Sequence, residues 1–161
     1  MSFKKLLPCI KEAIQKNNFE EPTAIQKLLI SKIKGGGNYI GIAPDNSGKT
    51  TNLIINTIQK LNGIAFEDVP RALIFVKDKN AVLELEETFK KFTYNTDLRI
   101  ATAYEEGNID HQKDSIYVGC DIVIGTPKRL NKIYFQNGLN LANLQLLAIN
   151  DAEFLIGTSF H

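Results

Sequence analysis

Residues 43–50, Ala-Pro-Asp-Asn-Ser-Gly-Lys-Thr, set a glycine, a lysine and a hydroxyl side by side. These are the residue types of a phosphate-binding turn, and the chemistry they could do is electrostatic. Backbone N–H groups and a helix N-terminus would point at phosphate oxygens. Lys49 would reach the outer phosphates, and the Thr50 hydroxyl would coordinate Mg²⁺. Gly-Lys-Thr alone arises by chance in many chains, so an ordinary tight turn is the competing reading. The flanks favour phosphate. An apolar run, Tyr39-Ile40-Gly41-Ile42-Ala43, precedes the turn as an expected strand, and Leu53, Ile54, Ile58 and Leu61 share one face of an expected helix after it.

The rest of the chain must position that turn. Leu6, Leu7, Ile10, Ala13 and Ile14 predict a helix over 6–17, with Pro8 tolerable in its first turn. Pro22-Thr23 restarts a helix with Ile25, Leu28, Leu29 and Ile33 on one side, and Gly35-Gly36-Gly37 ends it. Residues 71–76 read as a buried strand, and Val82, Leu85, Phe89 and Phe92 make the next helix amphipathic. Further strands are expected at 98–103, 121–125 and 146–150, with a poorly patterned segment around Gln112 and Ile116. Thr126-Pro127 predicts a helix start: a hydroxyl cap, then proline in the first helical position. Apolar strands alternating with helices predict an α/β fold, a parallel sheet with helices on both faces. Neither repeat nor linker interrupts it, so the expectation is a single domain over 1–161, with a helical segment 1–37 and a sheet core 38–161.

Composition narrows the function classes. The chain has 161 residues, enough for a proper core, and at 43% hydrophobic and 23% charged it is not a disordered segment. A net charge of +1 gives no global basic field, so contact with nucleic acid would need a local patch. Cys9 and Cys120, the only cysteines, form no metal-type pair and read as reduced, buried thiols. With no secretory segment and no apolar run of membrane-spanning length, the expectation is a soluble cytoplasmic protein without a membrane partner. His111 and His161 lack metal-type partners, and Lys90-Lys91 reads as a solvated helix face.

Upstream of the turn, Phe19-Glu20-Glu21-Pro22-Thr23-Ala24-Ile25-Gln26 contains a Thr-x-x-Gln capping box, a sufficient structural reason for Thr23 and Gln26. Taken with Phe3 and the turn at Ala43, however, its layout resembles the DEAD-box RNA helicases. In that family an upstream aromatic and a Phe-x-x-Pro-Thr-x-x-Gln segment bind adenine. The resemblance implies a RecA-like phosphate-loop NTPase domain, C-terminally incomplete, with ATP and Mg²⁺ as cofactors. Phe3, Phe19, Thr23, Gln26, Asn46, Ser47, Gly48, Lys49, Thr50 and Thr51 would bind nucleotide. It continues at residues 121–130, similar to the family's strand leading into Thr-Pro-Gly-Arg, which grips RNA backbone. Residues 144–153 end in Asn150-Asp151-Ala152-Glu153 where the family has Asp-Glu-Ala-Asp, and Phe160 matches a Phe in the following helix.

The departures from the family matter too. Asn46 replaces a glycine and Asp45 a threonine, so nucleotide binding is expected to be weakened. Asn150 offers Mg²⁺ an oxygen without charge, and Asp151 is one methylene shorter than the family's water-positioning Glu. Asp151, Asn150 and Glu153 remain the candidate catalytic residues, with Thr50 and Asn150 as the water-mediated metal site. A displacement of about 1 Å in a positioning group costs ~10²-fold in rate, so hydrolysis is expected to be slow or absent. On the RNA side Lys77, Lys79, Thr126, Lys128 and Arg129 stay as candidates. Glu105-Glu106-Gly107 puts carboxylates where the family has a Gly-Gly that admits phosphate. Weak, salt-sensitive backbone contacts to single-stranded or duplex RNA are the expectation.

Three readings follow. The chain is the ATP- and RNA-binding domain of a DEAD-box-type helicase, with a second RecA-like domain absent from it. Alternatively it is a degenerate, non-catalytic nucleotide- or RNA-binding module derived from that family. An unrelated phosphate-loop kinase or GTPase is disfavoured by the adenine-side segment and the lack of Asn-Lys-x-Asp. The resemblance also implies a further strand, absent here, between the 39–43 and 146–150 strands. The expected five-stranded sheet would then be a fragment's, be filled by a neighbouring molecule, or close up.

Overall fold

The computed structural model describes residues 5–156. Helices α1 (Pro8–Lys16), α2 (Ala24–Lys34) and α3 (Lys49–Lys60) belong to one of two compact units, made of Met1–Ile64 and Thr88–Asp97. Pro8 sits in the first turn of α1, where its missing N–H costs nothing, and Ile10, Ala13 and Ile14 are buried. Gln59 Oε1 accepts from the Leu7 N–H at 3.0 Å, tying the entry of α1 to α3. The core of this unit is aliphatic and aromatic, with Ile54, Ile55 and Ile58 of α3 wholly enclosed and Phe89 and Phe92 buried beside it in the chain's second contribution. Each such side chain contributes about 1.5–3 kcal/mol on burial.

Residues 39–43 correct one expectation. They form no strand, and Ile40 and Ile42 are 93% and 94% exposed. A strand satisfies its N–H and C=O groups only in a ladder, and these residues join none. The closing-up of two flanking strands is therefore not what the chain does.

The second unit, Ala65–Glu87 with Leu98–His161, holds the sheet. Its strands are β1 (Ala72–Phe75), β2 (Ile100–Ala103), β3 (Ile122–Gly125) and β4 (Leu146–Ile149), all parallel, in the order β2-β3-β1-β4. Ala72 pairs with Ile122 on one side and Leu146 on the other, and Ile100 pairs with Ile122. Every residue of β3 is buried, as a central parallel strand requires, whereas β4 alternates half-buried and exposed as an edge does. Leu73, Ala101 and Val123 pack with Ile116 of α5 (Ile109–Tyr117) and Leu130 and Ile133 of α6 (Pro127–Phe135). Helix α4 (Lys79–Thr93) begins in this unit and ends in the other. Asp78 Oδ1 accepts from the Ala81 N–H at 2.9 Å at its start.

Helix α5 is the element that the pattern around Gln112 and Ile116 hides. Asn108 caps it, its side chain accepting from the N–H groups of Asp110 and His111 at 2.9 and 3.1 Å. Gln112 and Ile116, one turn apart, are its buried residues. A 3₁₀ turn (Ala152–Leu155) follows β4. Among the described residues no helix is long and apolar enough to cross a membrane.

Candidate functional site

In the first unit, the turn before α3 owes its shape to two left-handed residues. Asn46 has φ 57° and Gly48 has φ 90°. Asparagine tolerates that region at a cost of ~1–2 kcal/mol, and glycine does so freely. Glycine is further required at 48 because a Cβ there would lie 2.7 Å from Gln26 Nε2 and 3.1 Å from Thr23 Oγ1. The Thr23–Gln26 capping box is formed as expected: Gln26 Oε1 accepts from the Thr23 N–H at 3.0 Å, and Thr23 Oγ1 accepts from the Gln26 N–H at 3.5 Å. Gln26 Nε2 then donates to the Gly48 carbonyl at 3.4 Å, so the helix start and the turn are one hydrogen-bonded piece. One amide hydrogen and one oxygen lone pair of Gln26 are left over, the pair an adenine edge needs.

The Ser47 hydroxyl is buried without a protein partner. An orphaned polar atom in such a turn fits an oxygen-rich ligand. Lys49 opens α3, and its ammonium lies 3.8 Å from Asp45 Oδ1, while the Asp45 side chain is fully exposed. Thr50 and Thr51 are half-buried in the first turn of α3. Phe19 is 42% exposed, and its ring stacks on Phe92 with centroids 6.0 Å apart. Phe3 and Phe160 lie outside the described residues.

In the second unit, Asn150 and Asp151 follow β4. The Asn150 N–H donates to the Phe75 carbonyl at 3.0 Å, continuing the ladder, and its side-chain amide donates to Asp151 Oδ2 at 3.0 Å. Asp151 has φ 51° and is exposed, as is Glu153 in the 3₁₀ turn. Among the described residues no three His, Cys, Asp or Glu side chains gather as a metal site.

Thr126 caps α6 with its backbone, not its side chain. This departs from the expected hydroxyl cap: Thr126 Oγ1 instead donates to Glu105 Oε2 at 2.6 Å, which fixes the direction of the hydroxyl. The Arg129 guanidinium donates to the Glu105 carbonyl and is buried, whereas Lys128 is exposed. Lys79 lies over the Tyr104 ring, 5.6 Å from its centroid, and Lys77 is exposed.

At the opposite ends of the parallel strands lies an ion-pair network. Asp121, fully buried, accepts from Arg71 Nη2 at 2.7 Å, Arg99 Nε at 3.0 Å and the N–H groups of Phe66 and Arg99 at 3.0 Å each. Burial pushes the Asp121 carboxyl up, but the Arg99 side chain and N–H, then Arg71 and the Phe66 N–H, outweigh it and hold its pKa below the ordinary value. Beside it, burial and the Asp121 charge push the Cys120 thiol up to about 12. Cys9 is half-buried, not buried as expected. Sequence reading passed over this network, although a signal existed: Arg71, Arg99 and Asp121 each stand one residue before a strand.

Residues 23–161 match the family model of the DEAD/DEAH box helicases. The chain belongs to the DEAD/DEAH box helicase family. The matched stretch starts at the Thr23 cap and takes in the 43–50 turn, Thr126–Arg129 and Asn150–Glu153. The domain is 29% identical over 157 residues to a human protein, probable ATP-dependent RNA helicase DDX43, covering 95% of this chain and 24% of that one. It is 27% identical over 154 residues to the ATP-dependent RNA helicase DeaD of Mycobacterium tuberculosis, covering 95% of this chain and 27% of that one. The chain thus spans about a quarter of these curated relatives. A crystal structure of a DEAD box protein from Methanococcus jannaschii superposes with a TM-score of 0.88 at 26% identity, over 97% of this chain and 43% of that one. That of the yeast DEAD-box splicing factor Prp28 gives 0.87 at 22%, over 97% and 39%, a likeness of fold. The DEAD-box N-terminal RecA-like assignment therefore holds, with a four-stranded parallel sheet in place of the five strands expected.

Proposed function

We propose that this chain is an ATP- and RNA-binding helicase domain that holds adenine nucleotide and turns it over slowly or not at all. The observation that carries the reading is the bond from Gln26 Nε2 to the Gly48 carbonyl, with the orphaned Ser47 hydroxyl in the same turn. The adenine-side residues Phe19, Thr23 and Gln26 and the phosphate-side residues Asn46, Ser47, Gly48, Lys49, Thr50 and Thr51 would bind one nucleotide. Phe3 would join them as the upstream aromatic. Lys49 would exchange its exposed partner Asp45 for phosphate, a small loss because surface pairs contribute about 0–1 kcal/mol.

Mg²⁺ would arrive with the nucleotide, held by Thr50 and, through water, by Asn150. When bound, it supplies charge neutralisation to the phosphates. Asp151 and Glu153 are the acids left for positioning water. A non-catalytic module is favoured by one feature: the Asn150 amide donates to Asp151, engaging the acid left for positioning water. Lys77, Lys79, Thr126, Lys128 and Arg129 would contact RNA backbone. Further contributions, including a second RecA-like domain, fall to the parts of the relatives this chain does not span, and a cytoplasmic location is part of the same reading.

The test is a titration of the purified chain with fluorescent ATP and ADP, with and without Mg²⁺ and single-stranded RNA. Saturable binding with turnover below ~1 per second, the low end of working enzymes, supports the reading. Equal affinity for ATP and GTP overturns the adenine assignment.

A further inference from the structure

Glu105 sits in a built turn. The Gly107 N–H donates to the Tyr104 carbonyl at 3.2 Å, and Gln112 Nε2 donates to the same carbonyl at 3.1 Å. A Cβ at Gly107 would come 2.0 Å from Gln112 Nε2, so any larger residue there would push the Gln112 amide from its place. It aims the exposed Glu105 at Thr126, whose hydroxyl is 2.6 Å from Glu105 Oε2, and the Arg129 guanidinium pins the Glu105 main chain. A threonine hydroxyl has a single proton to give. Thr126 spends it on this carboxylate, at the N-terminus of α6, where negative charge is favoured by the helix dipole.

We infer that Glu105 sets the nucleic-acid affinity of this domain: its carboxylate stands on Thr126 where an RNA phosphate would, and RNA must displace it. The inference rests on the RNA-binding reading above. It differs from general repulsion, because Glu106 carries the same charge one residue on and is also exposed, yet Thr126 donates to Glu105. In the unaltered chain a phosphate must exchange the Glu105–Thr126 bond for its own, whereas with Glu105 removed it takes the hydroxyl without that exchange. Thr126 therefore adds more to RNA affinity in the absence of Glu105.

The experiment is fluorescence anisotropy with a fluorescein-labelled oligouridylate at about 50 mM salt, where phosphate contacts are strong. Glu105→Ala, Glu106→Ala, Thr126→Val and the Glu105→Ala/Thr126→Val pair are compared with the unaltered chain, and far-UV circular dichroism checks each fold. Glu105→Ala is expected to tighten binding about tenfold, the scale of one released hydrogen-bond donor, and Glu106→Ala by less than about threefold. Thr126→Val should cost more in the Glu105→Ala background than in the unaltered chain, cancelling the gain in the pair. Equal gains from the two glutamates, or a Thr126→Val loss of the same size in both backgrounds, overturn the inference and leave the RNA reading standing. Absence of binding by every variant, Glu105→Ala included, overturns the RNA reading and the inference with it.

Discussion

Replacing Asp121 by Asn removes one charge from the middle of the second unit. The side chain is fully buried and receives four hydrogen bonds, two of them from arginine side chains. Arg71 would be left facing a neutral amide with its own side chain 6% exposed, while Arg99, at 34%, can turn partly to water. Removing one partner of a buried pair costs about 3–5 kcal/mol, and the escape open to Arg99 puts the expectation near the lower figure. That is a large share of the 5–15 kcal/mol, or so, that a domain has in total. The assay is urea unfolding followed by far-UV circular dichroism. The folded-state pKa of Asp121 lies below the unfolded one. The unfolded chain therefore takes up a proton that the folded chain refuses, and the contribution is fully present above pH ~4 and fades as pH falls through the folded value. The difference between the parent and Asp121→Asn should hold steady from about pH 5 to 8 and shrink in stronger acid. A loss under about 1 kcal/mol at pH 7, or a difference that grows in acid, would refute the reasoning.

Three other outcomes are expected. Gln26→Ala should narrow the preference for ATP over GTP about tenfold in competition titrations, since a buried edge left unpaired costs ~1–3 kcal/mol. Thr23→Ala, which removes the cap's hydroxyl, should lower stability by about 1 kcal/mol and narrow that preference less than Gln26→Ala does. Asn150→Asp with Asp151→Glu should raise Mg²⁺-dependent ATP affinity by calorimetry; without Mg²⁺ the pair should gain nothing, because the Asn150–Asp151 hydrogen bond becomes a like-charge contact. Cys120, with its thiol pushed up to about 12, should resist iodoacetamide at pH ~8 in the native protein and react after unfolding, as followed by mass spectrometry.

How far the sequence could be read depended on whether a feature was local. The capping box at Thr23 and Gln26 and Pro8 and Pro127 in first turns all follow from chemistry within a few residues, and all are present. The buried strands were legible for the same reason, as unbroken apolar runs. Residues 39–43 had that pattern too, but strand formation needs a ladder partner, which no pattern within the run supplies. Helix α5 was missed because its buried face is narrow, Gln112 and Ile116, and its start is announced by the Asn108 cap instead of by apolar spacing. The Glu105–Thr126 bond spans 21 residues, and charge reading alone saw only repulsion in Glu105.

The central claim is that adenine nucleotide binds on the Gly48 turn beside Gln26. Two-dimensional ¹⁵N–¹H spectra of the labelled chain, titrated with ATP and then separately with GTP, test it most directly. The account predicts saturable shifts in the amides of Ser47, Gly48, Lys49 and Thr50 and in the Gln26 side-chain amide with ATP, and much weaker ones with GTP. Unmoved Gly48 and Gln26 resonances at saturating ATP, or the same shifts at the same concentrations of GTP, would contradict it.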